Sequence, residues 1–450
     1  MSKTAPRDAD DYSLSRVPRS ARYHWFLIAV QRFGQLSALS QFLIGATLGF
    51  GMSFWNAFLA FTFGAVILEV VTIFTGIIGM KQGMSTSVVT RWTGFGTVGS
   101  AIIGLAIGIS AVGWFGIQSG VSADGLALIM PFLPSWAWSL IFGILITLVV
   151  VRGIGSMQWI ANITVPIFMV LVGWAVISEL SSHAISDMIA AAPAGEPISL
   201  VAGTTIVAGS FMVGAVICPD MSRFNRTIGD VVKQTILGFT LGEYVIGMSG
   251  VLLAHALKTA DITQIIISSV GWVGVLIIVL GTFKINDWNL YSSGLGVVNF
   301  IDTVFGRKMN RAVVTGILGV AGSLLAAAGI LGKLVGFLTI LGVAFPPIAG
   351  IMIAEYFFVK KWRNDLESTK GDEFPAAAPR FVPVTLIIWA AASIGAYFVN
   401  WGIPSINAVA SAFLLYLALG KLGLIRGYGT QLNNSSENKD TSTHHLEGQV

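Results

Sequence analysis

Charge is what this chain has least of. Asp, Glu, Lys and Arg supply 11% of its 450 residues, against roughly 25% in a soluble domain. One charge in nine residues cannot cover a water-exposed surface, which excludes a soluble enzyme and a disordered chain. Cysteine is nearly missing: Cys218 stands alone, so a disulfide scaffold is excluded and the redox compartment stays open. No Walker A run is present, so the chain carries no nucleotide motor of its own. The five histidines are scattered, two of them in the tail. They offer neither metal-ligand spacing nor a Ser-His-Asp arrangement. The polar first 24 residues lack an apolar stretch ending in a small-residue cleavage site, and no removable signal peptide is expected.

What fills the chain instead is 54% hydrophobic residues with a mean hydropathy of +0.79. Glycine reaches 52 residues, above the usual share of about 7%, as close helix packing in lipid requires. This composition is that of an integral membrane protein. Only helices and closed barrels satisfy their backbone in a bilayer. The apolar runs are long rather than alternating, which selects helices. Twelve spans are predicted, at about 25–49, 55–79, 96–121, 134–151, 156–180, 199–218, 234–256, 271–301, 312–330, 334–359, 381–400 and 403–424. They are numbered 1 to 12 below. Residues 1–24 form a polar segment before them, and 425–450 a tail expected to be disordered.

An even count puts both termini on one side. With the N-terminus cytoplasmic, 22 of the 26 Lys and Arg residues fall on the inside and two, Lys258 and Lys333, on the outside. Arg32 and Lys284 lie within spans. This asymmetry supports a multi-pass protein of the cytoplasmic membrane with both termini cytoplasmic. A net charge of +4 calls for no nucleic-acid partner, and no protein partner is indicated. Without nucleotide machinery, the simplest class is a secondary transporter. A channel is the plainer competitor, but no filter-like loop is visible.

Transporters of this kind place substrate where helices break at mid-bilayer. Span 1 carries Gln31, Arg32, Gly34, Gln35, Ser37, Ser40 and Gln41, too polar a run to face lipid. Span 6 carries Gly203, Thr204, Thr205, Gly209, Ser210 and Gly214 around Phe211. These are the first spans of two successive five-span blocks, about 25–180 and 199–359. That placement suggests an inverted repeat with spans 11 and 12 appended. Close packing of small residues is the alternative explanation for span 6.

Five segments recur in order: Gly113-Trp114-Phe115-Gly116, Gly209-Ser210-Phe211, Asp220-Met221-Ser222-Arg223-Phe224, Asn286-Asp287 with Leu290 to Gly296, and Pro346-Pro347-Ile348-Ala349-Gly350. In these the chain resembles the nucleobase–cation symporter-1 family, in its cytosine and purine permease branch. The resemblance implies a leucine-transporter-type fold of 5+5 inverted repeats plus two helices. It also implies uptake of a heterocyclic base, without enzymatic activity or a cofactor.

Trp114 and Gln118 share a face of span 3. An indole stacks on a planar ring, and an amide both donates and accepts. The resemblance pairs Trp114 with Phe211 around the ring; ordinary aromatic packing is the alternative. Some cytosine permeases carry a glutamine three residues before the tryptophan. Ala111 stands there in this chain, and Gln118 follows one turn later, as in the hydantoin and fungal purine–cytosine branches. Val213 replaces a small polar residue of some cytosine permeases. Asn286 and Asn289 lie three apart on one face of span 8, suited to read ring carbonyl and N–H groups, or to bind helices together. Gly209 and Ser210 are expected to expose backbone groups at a break in span 6.

The resemblance also frames the coupling ion. Sodium-coupled members offer two hydroxyls before the span 8 asparagine and backbone oxygens from span 1. Here those positions are Lys284 and Ile285, with Gly34 to Ser37 as the span 1 stretch. An ammonium has three donors and no acceptor. Lys284 therefore cannot ligate sodium while charged, but its head can occupy the same site. Gly34, Ser37, Lys284 and Asp287 form the expected coupling-ion site, with H⁺ preferred over Na⁺ and no metal. The plainer reading is an ion pair of Lys284 with Asp287, Glu69 or Glu243. Arg32 is open between snorkelling, pairing with Asp220 and gating. Glu69, Glu243 and Glu355 are single acids in apolar surroundings, each a possible proton relay.

The expected function is import of a nucleobase or similar small planar heterocycle, cytosine or a purine foremost. Alternative substrates are allantoin or a hydantoin, hydroxymethylpyrimidine as a thiamine precursor, or pyridoxine, with sodium coupling also open. A non-transporting sensor is the reading outside transport. The expected partners are the substrate and the lipid bilayer.

Overall fold

The computed structural model describes residues 16–36, 39–152, 181–369, 375–399 and 401–432, with isolated positions between 167 and 178; the side chains of Ser269 and Lys284 are not among those described. Span 1 is helical over Trp25–Leu36 and Leu39–Gly51, on either side of residues 37 and 38, which lie outside the described residues. Span 2 is Phe54–Gln82, started by the Ser53 side chain accepting from Asn56 N and stopped by Gly83 at φ 64°. Spans 3 and 4 are Gly96–Ile129 and Ser135–Val151. The expected fifth span lies largely outside the described residues. Span 6 is Leu200–Val216. Span 7 opens with a Thr227/Asp230 capping box and runs as Ile228–Leu241, a π turn Gly242–Gly247, and Met248–Leu257. Spans 8 and 9 are Val273–Phe305 and Arg311–Ala327. Span 10 comprises Leu334–Ala344, Pro346–Ile353 and a further π turn, Ala354–Val359. Pro383–Phe398 and Pro404–Lys421 are spans 11 and 12.

The packing has the symmetry of an inverted repeat. Span 1 lies on span 7, as span 6 lies on span 2, and spans 3 and 8 pair with each other, as do 4 and 9. Glycines set how closely these pairs approach. A Cβ on Gly296 of span 8 would stand 2.4 Å from the Gly104 carbonyl oxygen of span 3, and one on Gly45 would stand 2.0 Å from that of Gly247. Two large buried clusters result, one around Trp92, Phe95, Met212 and Tyr356, the other around Phe42, Phe61, Ile206 and Val251.

Span 10 bends where the sequence has two prolines. Pro346 and Pro347 bring no N–H to the helix ladder, and Ile348 N bonds to Phe345 O at 3.0 Å instead of reaching Ala344. The Ala344 carbonyl is taken by Trp389 Nε1 of span 11 at 2.6 Å.

One face gathers the ends expected on one side. Arg16 donates to the Gln82 carbonyl and side chain at 2.9 Å and to Leu366 O at 2.6 Å; Arg22 donates to Met80 O at 2.8 Å and Asn225 O at 3.2 Å. The N-terminal segment thus meets the ends of spans 2, 6 and 10. On that face Ala377–Phe381 (β1) pairs antiparallel with Tyr428–Leu432 (β2). The start of the tail is therefore an ordered strand, contrary to its expected disorder. Its backbone finds partners on β1 that polar composition does not reveal. Residues 433–450 lie outside the described residues. At the opposite face, His255 sets its ring nitrogens 2.8 and 2.9 Å from the carbonyl oxygens of Met188 and Met52.

Candidate functional site

Trp114 sits at the seam of the molecule. Its indole is half-buried and packs against both large clusters, as does Phe337 of span 10, whose ring it meets edge-on at 5.5 Å and 84°. The ring therefore faces protein. One turn on, Gln118 is 3% exposed and its Oε1 has no hydrogen-bond partner among the described residues. A buried acceptor left bare costs about 1–3 kcal/mol, a cost that any incoming donor would relieve.

Asn286 behaves differently. It is fully buried, and its Nδ2 donates to Phe115 O and Ser119 Oγ, both at 3.1 Å on span 3. Its oxygen accepts from Asn289 Nδ2 at 3.4 Å. A further hydroxyl pair, Ser122 with Thr282, joins the same two spans. Asn286 thus binds span 8 to span 3, with both amide protons engaged. Asn289, half-buried, keeps more of its amide available.

Span 6 departs from expectation. It is an unbroken helix through Gly209, Ser210 and Phe211 as far as Val216. Ser210 Oγ donates to Val207 O at 2.7 Å within its own helix. A Cβ on Gly209 would lie 2.0 Å from Leu338 O of span 10, and one on Gly214 would lie 2.2 Å from the Phe211 ring. These glycines admit neighbours rather than break the helix, and the peptide groups stay paired as hydrocarbon demands. Phe211 meets Phe239 of span 7 at 5.5 Å. The ring against Trp114 is Phe337.

Gly34 lies in the last turn of the helix Trp25–Leu36 with open space beside it. Ser37 and the Lys284 side chain lie outside the described residues. Asp287 is 4% exposed.

Arg32 is fully buried, and its partners were not foreseen. Nε donates to Gln234 Oε1 at 2.9 Å, one terminal nitrogen approaches Cys218 Sγ at 3.1 Å, and the guanidinium lies 5.5 Å from the Phe239 ring centroid. Asp220, one of its expected partners, instead accepts from Thr86 N at 2.6 Å. Gln234, a lone amide in span 7, was the one signal available. Glu243 takes Gln41 as its partner, and Glu355 takes Trp362 N and Tyr416 Oη.

Residues 16–376 match the family described as permeases for cytosine/purines, uracil, thiamine and allantoin. Cytosine permease of Escherichia coli strain K12 is 30% identical over 92% of this chain and 95% of its own length. Hydantoin permease of Microbacterium maritypicum is 24% identical over 82% of this chain and 77% of its own. Among solved structures, the inward-facing conformation of Mhp1 superposes with a TM-score of 0.76 at 18% identity, covering 98% of each chain. That last likeness is one of fold.

Proposed function

Because the chain belongs to the family of permeases for cytosine and purines, uracil, thiamine and allantoin, we propose that it imports a nucleobase or similar small planar heterocycle and takes its driving force from protons. The observation that carries this reading is the bare Gln118 Oε1 one turn from the Trp114 indole. A ring N–H or exocyclic amine supplies the missing donor, and the indole covers the ring face. Asn289 adds an edge contact. Phe211 closes the site from span 6, while Gly209, Ser210 and Asn286 shape it through packing. The position of Trp114 between the two buried clusters supports a site near mid-bilayer.

Alternating access follows from the pairing of spans. Spans 3, 8, 4 and 9 form one block, and spans 1, 7, 2 and 6 another. Rocking of one against the other opens the seam to either side. The face that holds Arg16, Arg22, Lys361 and Arg363 is assigned to the cytoplasm on charge grounds. The coupling-ion role is assigned to Lys284 together with Asp287, Gly34 and Ser37, because an ammonium offers three donors where a sodium ion would take oxygen ligands.

A competition panel of cytosine, adenine, hypoxanthine, uracil, allantoin and hydroxymethylpyrimidine, run with and without Na⁺ and with a protonophore, tests both halves. Uptake of the preferred base should collapse with the protonophore and ignore Na⁺. Trp114→Ala should weaken binding by about 5–150-fold, since base–aromatic stacking is worth ~1–3 kcal/mol. Retained affinity would displace the site. Na⁺-dependent uptake that Lys284→Ala abolishes would refute the lysine assignment. The Gln118 position leaves a hydantoin or allantoin as the second reading, decided by the same panel.

A further inference from the structure

We propose that Glu243 is the proton-binding site of the transport cycle, held closed in this conformation by Gln41. The inference rests on the proton-coupled reading above and names the group that carries the proton.

Glu243 is the second residue of the π turn Gly242–Gly247 in span 7. It has no exposed surface. Gln41 Nε2 of span 1 approaches its Oε2 at 2.5 Å, and its Oε1 has no partner among the described residues. Isolated π turns are uncommon and gather at functional sites. This one packs against span 1: the Leu36 side chain lies where a Gly242 Cβ would be, at 2.5 Å, and Gln41 meets Glu243. The carboxyl therefore ties span 7 to span 1, the span that borders the proposed ion site.

The surroundings disfavour a negative charge. Among the described residues, no lysine or arginine pairs with Glu243. Arg32, from the first half of span 1, is engaged by Gln234 and Cys218. The second half, Leu39–Gly51, holds no ionisable side chain. Span 2 contributes Glu69, a second carboxyl, which accepts from Thr240 Oγ1 at 3.4 Å; Lys81 lies in the last turn of that helix. Within span 7, Tyr244 bonds Thr62, His255 bonds two backbone carbonyls at the far face, and Asp230 caps the first turn. A carboxylate here would be buried beside another acid with one oxygen bare, at a cost of several kcal/mol. A neutral acid meets no such penalty. Gln41 serves either form: its amide N–H donates to the carboxylate, and with the amide turned its oxygen accepts from the acid O–H.

When spans 1 and 7 move and water enters, the O–H bond of Glu243 breaks and its proton passes to water. Reclosure requires a proton from the water of the side then open. Lys284 can stay charged throughout, because the titrating group lies elsewhere.

The test uses the full chain in sodium-free proteoliposomes with the labelled base that wins the panel. A one-unit pH gradient, alkaline inside, sustains about tenfold accumulation at one proton per substrate. Wild type should reach this level. Glu243→Gln should lose it and only equilibrate, while still exchanging labelled for unlabelled base in counterflow. Glu243→Asp, which keeps a titratable group, should retain accumulation with a displaced pH profile, so the idea remains exposed if the Gln variant does not insert. Gradient-driven accumulation by Glu243→Gln, or an undisplaced profile in Glu243→Asp, overturns the assignment of Glu243 alone. A wild type that accumulates base only with Na⁺ overturns proton coupling and this inference together, while its counterflow still reports on the substrate site.

Discussion

Two π turns in this molecule each carry a buried glutamate at their second position, and the two are treated oppositely. In span 10, Glu355 Oε1 accepts from Trp362 N at 2.9 Å and Oε2 from Tyr416 Oη at 3.0 Å. In span 7, Glu243 has one amide partner and one empty oxygen. Burial is nearly complete for both, so burial alone does not explain the empty oxygen. The first carboxyl fastens the end of span 10 to span 12 and the following turn. The second is held to span 1 through one oxygen only, the other lacking a partner among the described residues. A group whose every bond is made resists change, whereas one with a bond missing is cheap to alter.

That contrast can be broken by experiment. Glu355→Ala strips the acceptor from two buried donors, each costing about 1–3 kcal/mol. Thermal unfolding in detergent should show the largest drop of the set, and an unchanged midpoint would erase the distinction. Gln118→Leu extends the contrast to a neutral group. Substrate binding should weaken about tenfold, ~1.4 kcal/mol, while the unliganded protein loses no stability, because the amide makes no hydrogen bond among the described residues. Equilibrium binding and an unfolding scan on the same sample read both. Tyr416→Phe removes one of Glu355's two bonds and should cost about 1 kcal/mol with uptake per folded molecule unaltered. Glu243→Gln should move the unfolding midpoint least, by under ~0.5 kcal/mol, as a substitution that leaves no donor or acceptor newly orphaned. A large loss there would make Glu243 a fastener like Glu355.

Most of the fold was readable because lipid imposes one demand on some twenty consecutive residues, and a demand repeated so often leaves its mark. The Trp114–Gln118 face was readable for a similar reason: helical geometry alone places residues four apart together. What escaped depended on partners far along the chain. Glycine in span 6 signals either a break or a close neighbour, and only the Leu338 carbonyl against Gly209 decides for the neighbour. Arg32 finds Gln234 and Cys218 about 200 residues away, beyond any local pattern. Asn286 reads as a ligand contact until the Phe115 carbonyl is seen to hold it. The strand Tyr428–Leu432 is short and polar, and its pairing is set by β1 some fifty residues earlier.

The indole of Trp389 closes over the Ala344 carbonyl, which Ile348 N passes over for Phe345 O at the bend. Span 11 lies outside the two five-span repeats, yet it works as a splint on the joint of span 10. Any swing of that joint must either tear the bond or drag span 11 with it. Span 11 thus restrains the bend of span 10, and Trp389→Phe, which removes the bond, would be expected to change the tempo of transport before its choice of cargo.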